Sequence, residues 1–163
     1  MSKDYVEVRV HGVAVDPGEG APIVLLLDAA GEAGIPVPVG AFEASAIIIE
    51  LEGIAPPRPL THDLLAELFR EGGMSLERAE LYGEGAATQL AGSGPLARLV
   101  YRRGFRRLSR EVRPSDAIAL ALRLKAPICA ERALLGSRAQ AEAAIRPFLP
   151  GAEPYFLLAA HRA

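Results

Sequence analysis

Pro56-Pro57-Arg58-Pro59-Leu60-Thr61-His62-Asp63 is the stretch whose reading decides the fold. Its prolines fix φ and remove backbone donors, so no strand or helix can run through it. Thr61 then reads as the N-cap of a helix with the apolar stripe Leu64, Leu65, Leu68 and Phe69, closed by Gly72-Gly73. Arg113-Pro114-Ser115-Asp116 is a shorter version, with Ser115 as the cap of a helix over 117–124. Each stretch sets Arg-Pro before a hydroxyl and places an Asp in the first turn. Helix N-termini present free N–H groups to anions. These two rigid helix mouths are therefore the best candidates for chemistry.

Upstream of the first mouth, Val6, Val8 and Val10 alternate with Glu7, Arg9 and His11, which predicts a half-buried strand over 5–15. Residues 16–20 read as a turn. Ile23 to Leu27 form an apolar run too short for a helix, hence a strand buried on both faces. Pro36 and Pro38 restrict 35–39 to an edge strand. A helix is expected over 40–52, closed by Gly53. Phe42, Ile47, Ile48, Ile49 and Leu51 cover most of its circumference, so it should be central and buried.

Downstream, the sequence predicts a strand over 75–82, a small-residue loop over 83–95 and a hairpin of 96–103 with 105–112 turning near Gly104. A short strand over 127–130, a helix over 137–148 capped by Ser137 and a last strand or tail over 155–160 complete the pattern. Strands, helices, hairpin, helix, strand, helix is the order of a single compact α+β domain, with a mixed or mostly antiparallel sheet packed with a few helices. The expected domain is 1–132, with 133–163 as a C-terminal helix and tail packed on it. No GxGxxG, P-loop, GxSxG or HExxH motif is present.

Among the 163 residues, half are apolar and 23% charged, as in globular chains, and the net charge is -2. Such a chain is not a strong non-specific nucleic-acid binder overall, and any such role must rest on a local patch. Cys129, the one cysteine, excludes an internal disulfide and a cysteine metal cluster and is expected to be a small core residue. No apolar run is long enough to span a membrane, and Met1 to Tyr5 do not read as a signal peptide. The cytoplasm is the expected compartment.

Two readings attach to the motif residues. In the functional one, His62 and Asp63 bind a divalent metal or move a proton, and Arg58 holds a phosphate oxygen. Asp116 meeting Asp63 or Glu43 would suit Mg²⁺ or Mn²⁺, which prefer oxygen ligands. In the structural one, Asp63, Ser115 and Asp116 serve the helix ends. Glu43 then needs Arg58 or Arg113 as partner, because a buried carboxylate must be paired. A third feature is the basic hairpin: Arg102, Arg103, Arg106, Arg107 and Arg110, interleaved with Tyr101 and Phe105. It suits single-stranded nucleic acid, or else is a solvated face.

Three blocks carry a resemblance. They are Val39-Gly40-Ala41-Phe42-Glu43-Ala44 with Leu51-Glu52-Gly53, then Pro57-Arg58-Pro59-Leu60-Thr61-His62-Asp63-Leu64-Leu65, then Arg113-Pro114-Ser115-Asp116-Ala117-Ile118-Ala119-Leu120-Ala121-Leu122-Arg123. In this order they resemble the bifunctional nuclease domain family across about residues 6 to 132. The resemblance implies a compact α+β domain forming dimers or larger homo-oligomers, with nuclease activity on DNA and RNA. The site it carries over comprises Glu43, Arg58, His62, Asp63, Arg113, Ser115 and Asp116. Pro38 and Leu96 depart from the family pattern, at the sheet rather than in the motifs. Two functions follow as expectations: a metal-assisted phosphodiesterase, or a non-catalytic oligomeric binding module whose motif residues form an ion-pair and capping network.

Overall fold

The alternating valines form strand β1 (Tyr5–Ala14), which sits inside one mixed sheet. The computed structural model describes residues 4–14, 21–83, 94–143, 145 and 157–158. The expected turn at 16–20, most of the 83–95 loop, the end of the last helix and His161 lie outside the described residues. The other strands are β2 (Ile23–Asp28), β3 (Ala33–Pro38), β4 (Met74–Tyr82), β5 (Leu96–Arg103), β6 (Arg106–Val112), β7 (Ile128–Glu131), β8 (Gly136–Ser137) and β9 (Leu157–Leu158). Their spatial order is β6-β5-β4-β7-β1-β2-β3-β8, with β9 against β1. Every pairing is antiparallel except β4 with β7. A parallel pair needs a crossover, and here the crossover holds the β5–β6 hairpin and helix α3 (Pro114–Leu124). With α1 (Ala41–Leu51), α2 (Thr61–Glu71) and α4 (Arg138–Ala143), this is the expected α+β arrangement.

One face of the sheet carries α1, α2 and α3 over a core that includes Val8, Leu26, Ile47, Phe69, Leu81, Leu99 and Ile118. By strand alternation, Leu25 and Leu27 point the other way, where they pack with Ala14, Ile23, Ala141 and Ile145 beneath α4. β2 is thus buried on both faces, as its apolar run requires. Ser137 caps α4 in a reciprocal box: Gln140 N–H donates to Ser137 Oγ at 3.3 Å, and Ser137 N–H donates to Gln140 Oε1 at 2.9 Å.

Two helices differ from expectation. α1 is not the central helix: Ala44, Ala46 and Ile47 are buried, but Phe42 is 91% exposed. The central helix is α3, which buries Ser115, Arg123 and every residue from Ala117 to Ala121. Its alanines let it settle closely on β4 and β5 while α1 and α2 flank it. α2 likewise buries Ala66 and Phe69, and leaves Leu64, Leu65 and Leu68 outward. Phe69 meets Tyr101 of β5 edge to face, with centroids 5.5 Å apart.

The helix stops behave as read. Gly53, at φ +62, closes α1 with N–H bonds from Gly53 to Glu50 and from Ile54 to Ile49. The caps at the two mouths do not. The N-cap positions are Leu60 and Arg113, so Thr61 and Ser115 lie inside the first turns. Pro114 takes N1, where its missing N–H costs nothing.

The open face of β4, β5 and β7 carries charges that alternation alone would send to solvent. Glu80 is nonetheless wholly buried, held by Arg78 and by Arg98 at 2.5 Å. Arg98 also donates to Tyr5 Oη at 3.3 Å. Burial, with the nearby Glu80 charge, pushes the Tyr5 hydroxyl up to about 12. Cys129 is half-buried on β7 rather than in the core proper, and burial raises its thiol pKa.

Candidate active site at two helix mouths

The α2 and α3 mouths meet beside the start of α1. His62 Nε2 lies 3.2 Å from Asp116 Oδ1. Arg113 donates from Nε to Asp116 Oδ2 at 2.8 Å, and from a terminal nitrogen to Asp116 Oδ1 at 3.0 Å. Its other terminal nitrogen donates to Glu43 Oε1 at 2.7 Å. Glu43, Arg113, Asp116 and His62 therefore form one continuous chain across three elements. Of the two arginines expected as possible partners for Glu43, the structure selects Arg113. Arg58 is exposed, and among the described residues it has no ion-pair partner.

Gly40 helps to place Glu43. The Glu43 carboxylate folds back over the Gly40 Cα, in space a Cβ would need. This gives a physical reason for glycine at the start of α1, at an ordinary φ of -75°.

Electrostatics holds Asp116 ionised. Burial pushes its carboxyl up, but hydrogen bonds from Arg113 and His62 and the Arg113 charge outweigh that, and the pKa falls below the usual value. The Arg113 guanidinium is raised, first by its hydrogen bond to Asp116.

Asp63 faces a different partner. Its Oδ1 accepts from Arg123 Nε at 2.5 Å, and its Oδ2 accepts from Leu60 N–H at 2.8 Å. Arg123 is buried and donates also to Ala119 O at 3.1 Å and Ala46 O at 3.2 Å. Arg70 donates to the Arg123 carbonyl at 3.0 Å. Asp63 thus ties α2 to α3 and, through Arg123, to α1. Burial raises the Asp63 carboxyl, but the Leu60 and Arg123 hydrogen bonds win and its pKa is lowered. Arg123 was missed as a site residue. Its signal was a lone charge two turns beyond Asp116 on an otherwise apolar helix.

A groove of about 670 Å³ opens over the first group, lined by His62, Asp116, Arg113, Glu43, Thr61 and the exposed Phe42, among others. Ser115 is buried in the first turn of α3 and is not part of the lining. Both oxygens of Asp63 and of Asp116 are taken by donors, and no group of three or more His, Cys, Asp or Glu among the described residues could hold a metal ion. The donor set does not fit an Mg²⁺ or Mn²⁺ held by protein carboxylates.

The hairpin arginines divide. Arg102 and Arg107 both pair with Glu77, the latter at 2.8 Å. Arg103, Arg106 and Arg110 are exposed, as is Phe105 at the turn. No helix among the described residues is long and apolar enough to cross a membrane.

Residues 24–143 match the family model of the bifunctional nuclease domain. Two relatives from Mycobacterium tuberculosis, the uncharacterized proteins MT1877 (strain CDC 1551) and Rv1829 (strain H37Rv), are each 38% identical over 129 residues. That alignment covers 79% of this chain and 73% of theirs.

Proposed function

Since the chain belongs to the bifunctional nuclease domain family, we propose that it hydrolyses phosphodiester bonds of DNA or RNA at the groove between the two helix mouths. The observation that carries this is the His62–Asp116 pair, fixed by Arg113 and opening on a groove whose lining includes Pro59, the residue after the exposed Arg58. Asp116 accepts from the Nε2–H of His62, so Nδ1 is the basic nitrogen. Nδ1 takes a proton from water as the water oxygen bonds to phosphorus. The bond from phosphorus to the leaving sugar oxygen breaks, that oxygen takes a proton from solvent on the opposite side, and the imidazolium releases its proton to solvent. Arg58 and the remaining N–H groups of Arg113 stabilise the charge that builds on the phosphoryl oxygens. Glu43 orients Arg113, while Asp63 and Ser115 maintain the scaffold.

The test is cleavage of single-stranded DNA, duplex DNA and RNA in Mg²⁺, Mn²⁺ and EDTA, by wild type and an identically purified, folded His62→Ala/Asp116→Asn protein. Cleavage by wild type alone supports the assignment. Equal cleavage by both proteins removes the chemistry from this groove.

A second reading is a non-catalytic oligomeric module. It is favoured by the outward Phe42, Ile54, Leu64, Leu65 and Leu68 on and beside α1 and α2, which suit a homo-oligomeric contact. Sedimentation of wild type against Leu64→Glu/Leu68→Glu tests the contact. Dissociation without any nuclease activity in either state would favour the module.

A further inference from the structure

Among the described residues, strand β6 is the edge of the sheet and pairs with β5 alone, and its last residue Val112 leads directly into Arg113. Cross-strand partners share a face, so the register sorts the basic residues. Arg107 lies opposite Arg102, and Glu111 opposite Arg98, on the face of Glu80 and the Glu77 ion pairs. Arg106 lies opposite Arg103, Leu108 opposite Tyr101, and Arg110 opposite Leu99, on the face that carries the helices. On the first face Arg98 pairs with Glu80, which it shares with Arg78, and Arg102 and Arg107 share Glu77. On the second, Arg103, Arg106 and Arg110 are exposed and have no ion-pair partner among the described residues.

We propose that this second face of β6 is a track for single-stranded polynucleotide, leading to the groove at Arg113. Arg110, Arg106 and Arg103 contact the phosphates, and Phe105 stacks on an unpaired base at the far end. At about 3.3 Å per residue, the track runs roughly 23 Å from Arg106 to Arg113, with Arg110 between them. The chain as a whole is acidic, so Arg106 and Arg110 along β6, with Arg103 beside Arg106 on β5, form the local positive strip that a phosphate backbone requires. An aromatic ring that is fully exposed at the tip needs an unpaired base, since a duplex hides its base faces. The proposal rests on the phosphodiesterase reading for the strand's destination. Binding along β6 does not depend on cleavage.

The test is fluorescence anisotropy of the full chain in EDTA with labelled oligothymidylate, oligouridylate and a DNA duplex, across a salt series. Arg106→Ala/Arg110→Ala should weaken single-strand binding at least tenfold. It should also flatten the plot of log affinity against log salt by about 1.4, since each phosphate contact contributes about 0.7 on single strands. Glu77→Gln/Arg102→Gln, which leaves the net charge unchanged, should bind as wild type does, and Phe105→Ala should weaken binding without changing the slope. Binding of oligothymidylate and oligouridylate alike assigns the track to backbone and base faces, and preference for one assigns DNA or RNA. Indifference to Arg106 and Arg110, an equal loss in the Glu77/Arg102 double variant, tighter binding of duplex or no binding at all would overturn the track. Hydrolysis of bis(p-nitrophenyl) phosphate, too small to reach β6, separates the two claims. If wild type fails on this ester yet the track variants lose affinity, the hydrolase reading falls and the track stands.

Discussion

Asp63→Ala should be the most damaging single change at the two mouths, through stability rather than chemistry. It strips the Arg123 guanidinium, whose side chain is 4% exposed, of its one charged partner among the described residues, and removes the acceptor for Leu60 N–H. Breaking a buried pair by deleting one partner costs about 3–5 kcal/mol. Two features reduce this: Arg123 keeps the carbonyls of Ala119 and Ala46, and Asp63 is itself about a quarter exposed. The expected loss is about 2–4 kcal/mol, which lowers Tm by about 4–16 °C for a chain of this size. Urea unfolding of wild type, Asp63→Ala, Arg123→Leu and the double variant measures it. The double should be no less stable than the worse single, because it leaves no unpaired charge. Additive single effects, or an Asp63→Ala within about 0.5 kcal/mol of wild type, would refute the claim that this pair fastens α2 to α3.

The remaining expectations concern the outer group and the helix ends. Arg113→Ala should leave the urea midpoint where it is, because the side chain is 64% exposed, while abolishing cleavage in the oligonucleotide assay. Gly40→Ala should fold, since only the far end of the Glu43 side chain must move, but cleavage should fall as Arg113 loses its anchor. Asp63 and Asp116 both have lowered folded pKa values, so their stabilisation is complete above the unfolded carboxylate pKa and is lost as pH falls through the folded values. In urea melts, the gap between wild type and Asp63→Asn should therefore close below about pH 4, where carboxylates protonate. Lys125→Gly should raise stability by about 0.5–1 kcal/mol in the same melts, because Lys125 holds φ 52 at the end of α3.

What could be read from the sequence was what local chemistry decides. β1 follows from alternating valines, β2 from a short apolar run, the hairpin from Gly104, and the ends of α1 and α2 from glycine pairs or Gly53. Which side of α1 and α2 is buried was not legible. That is decided by α3, which arrives from about fifty residues downstream and takes the central place with alanines instead of large side chains. Glu43, His62, Arg113 and Asp116 all lie in the motifs that carry the resemblance, but the pairing of their charges depends on how three helices converge. Arg123 and Glu80 escaped notice for one reason. A single charge within an apolar helix, or on the alternate face of a strand, looks like solvent exposure until its partner's position is known.

β1 lies between β2 and β7, and its contact with β7 pairs Val8 with Ile128. During synthesis, Val8 emerges about 120 residues before that partner, and at roughly 5–20 residues per second the wait is about 6–24 s. Through that interval β2 can cover one edge of β1, but the other, lined by Val6 and Val8, has nothing of its own chain to bind. The helix mouths are likewise incomplete until Asp116 and Arg123 have been made. The nascent chain therefore passes through a stage that is half a sheet and has no complete pair of mouths, and its completion depends on residues 113–131.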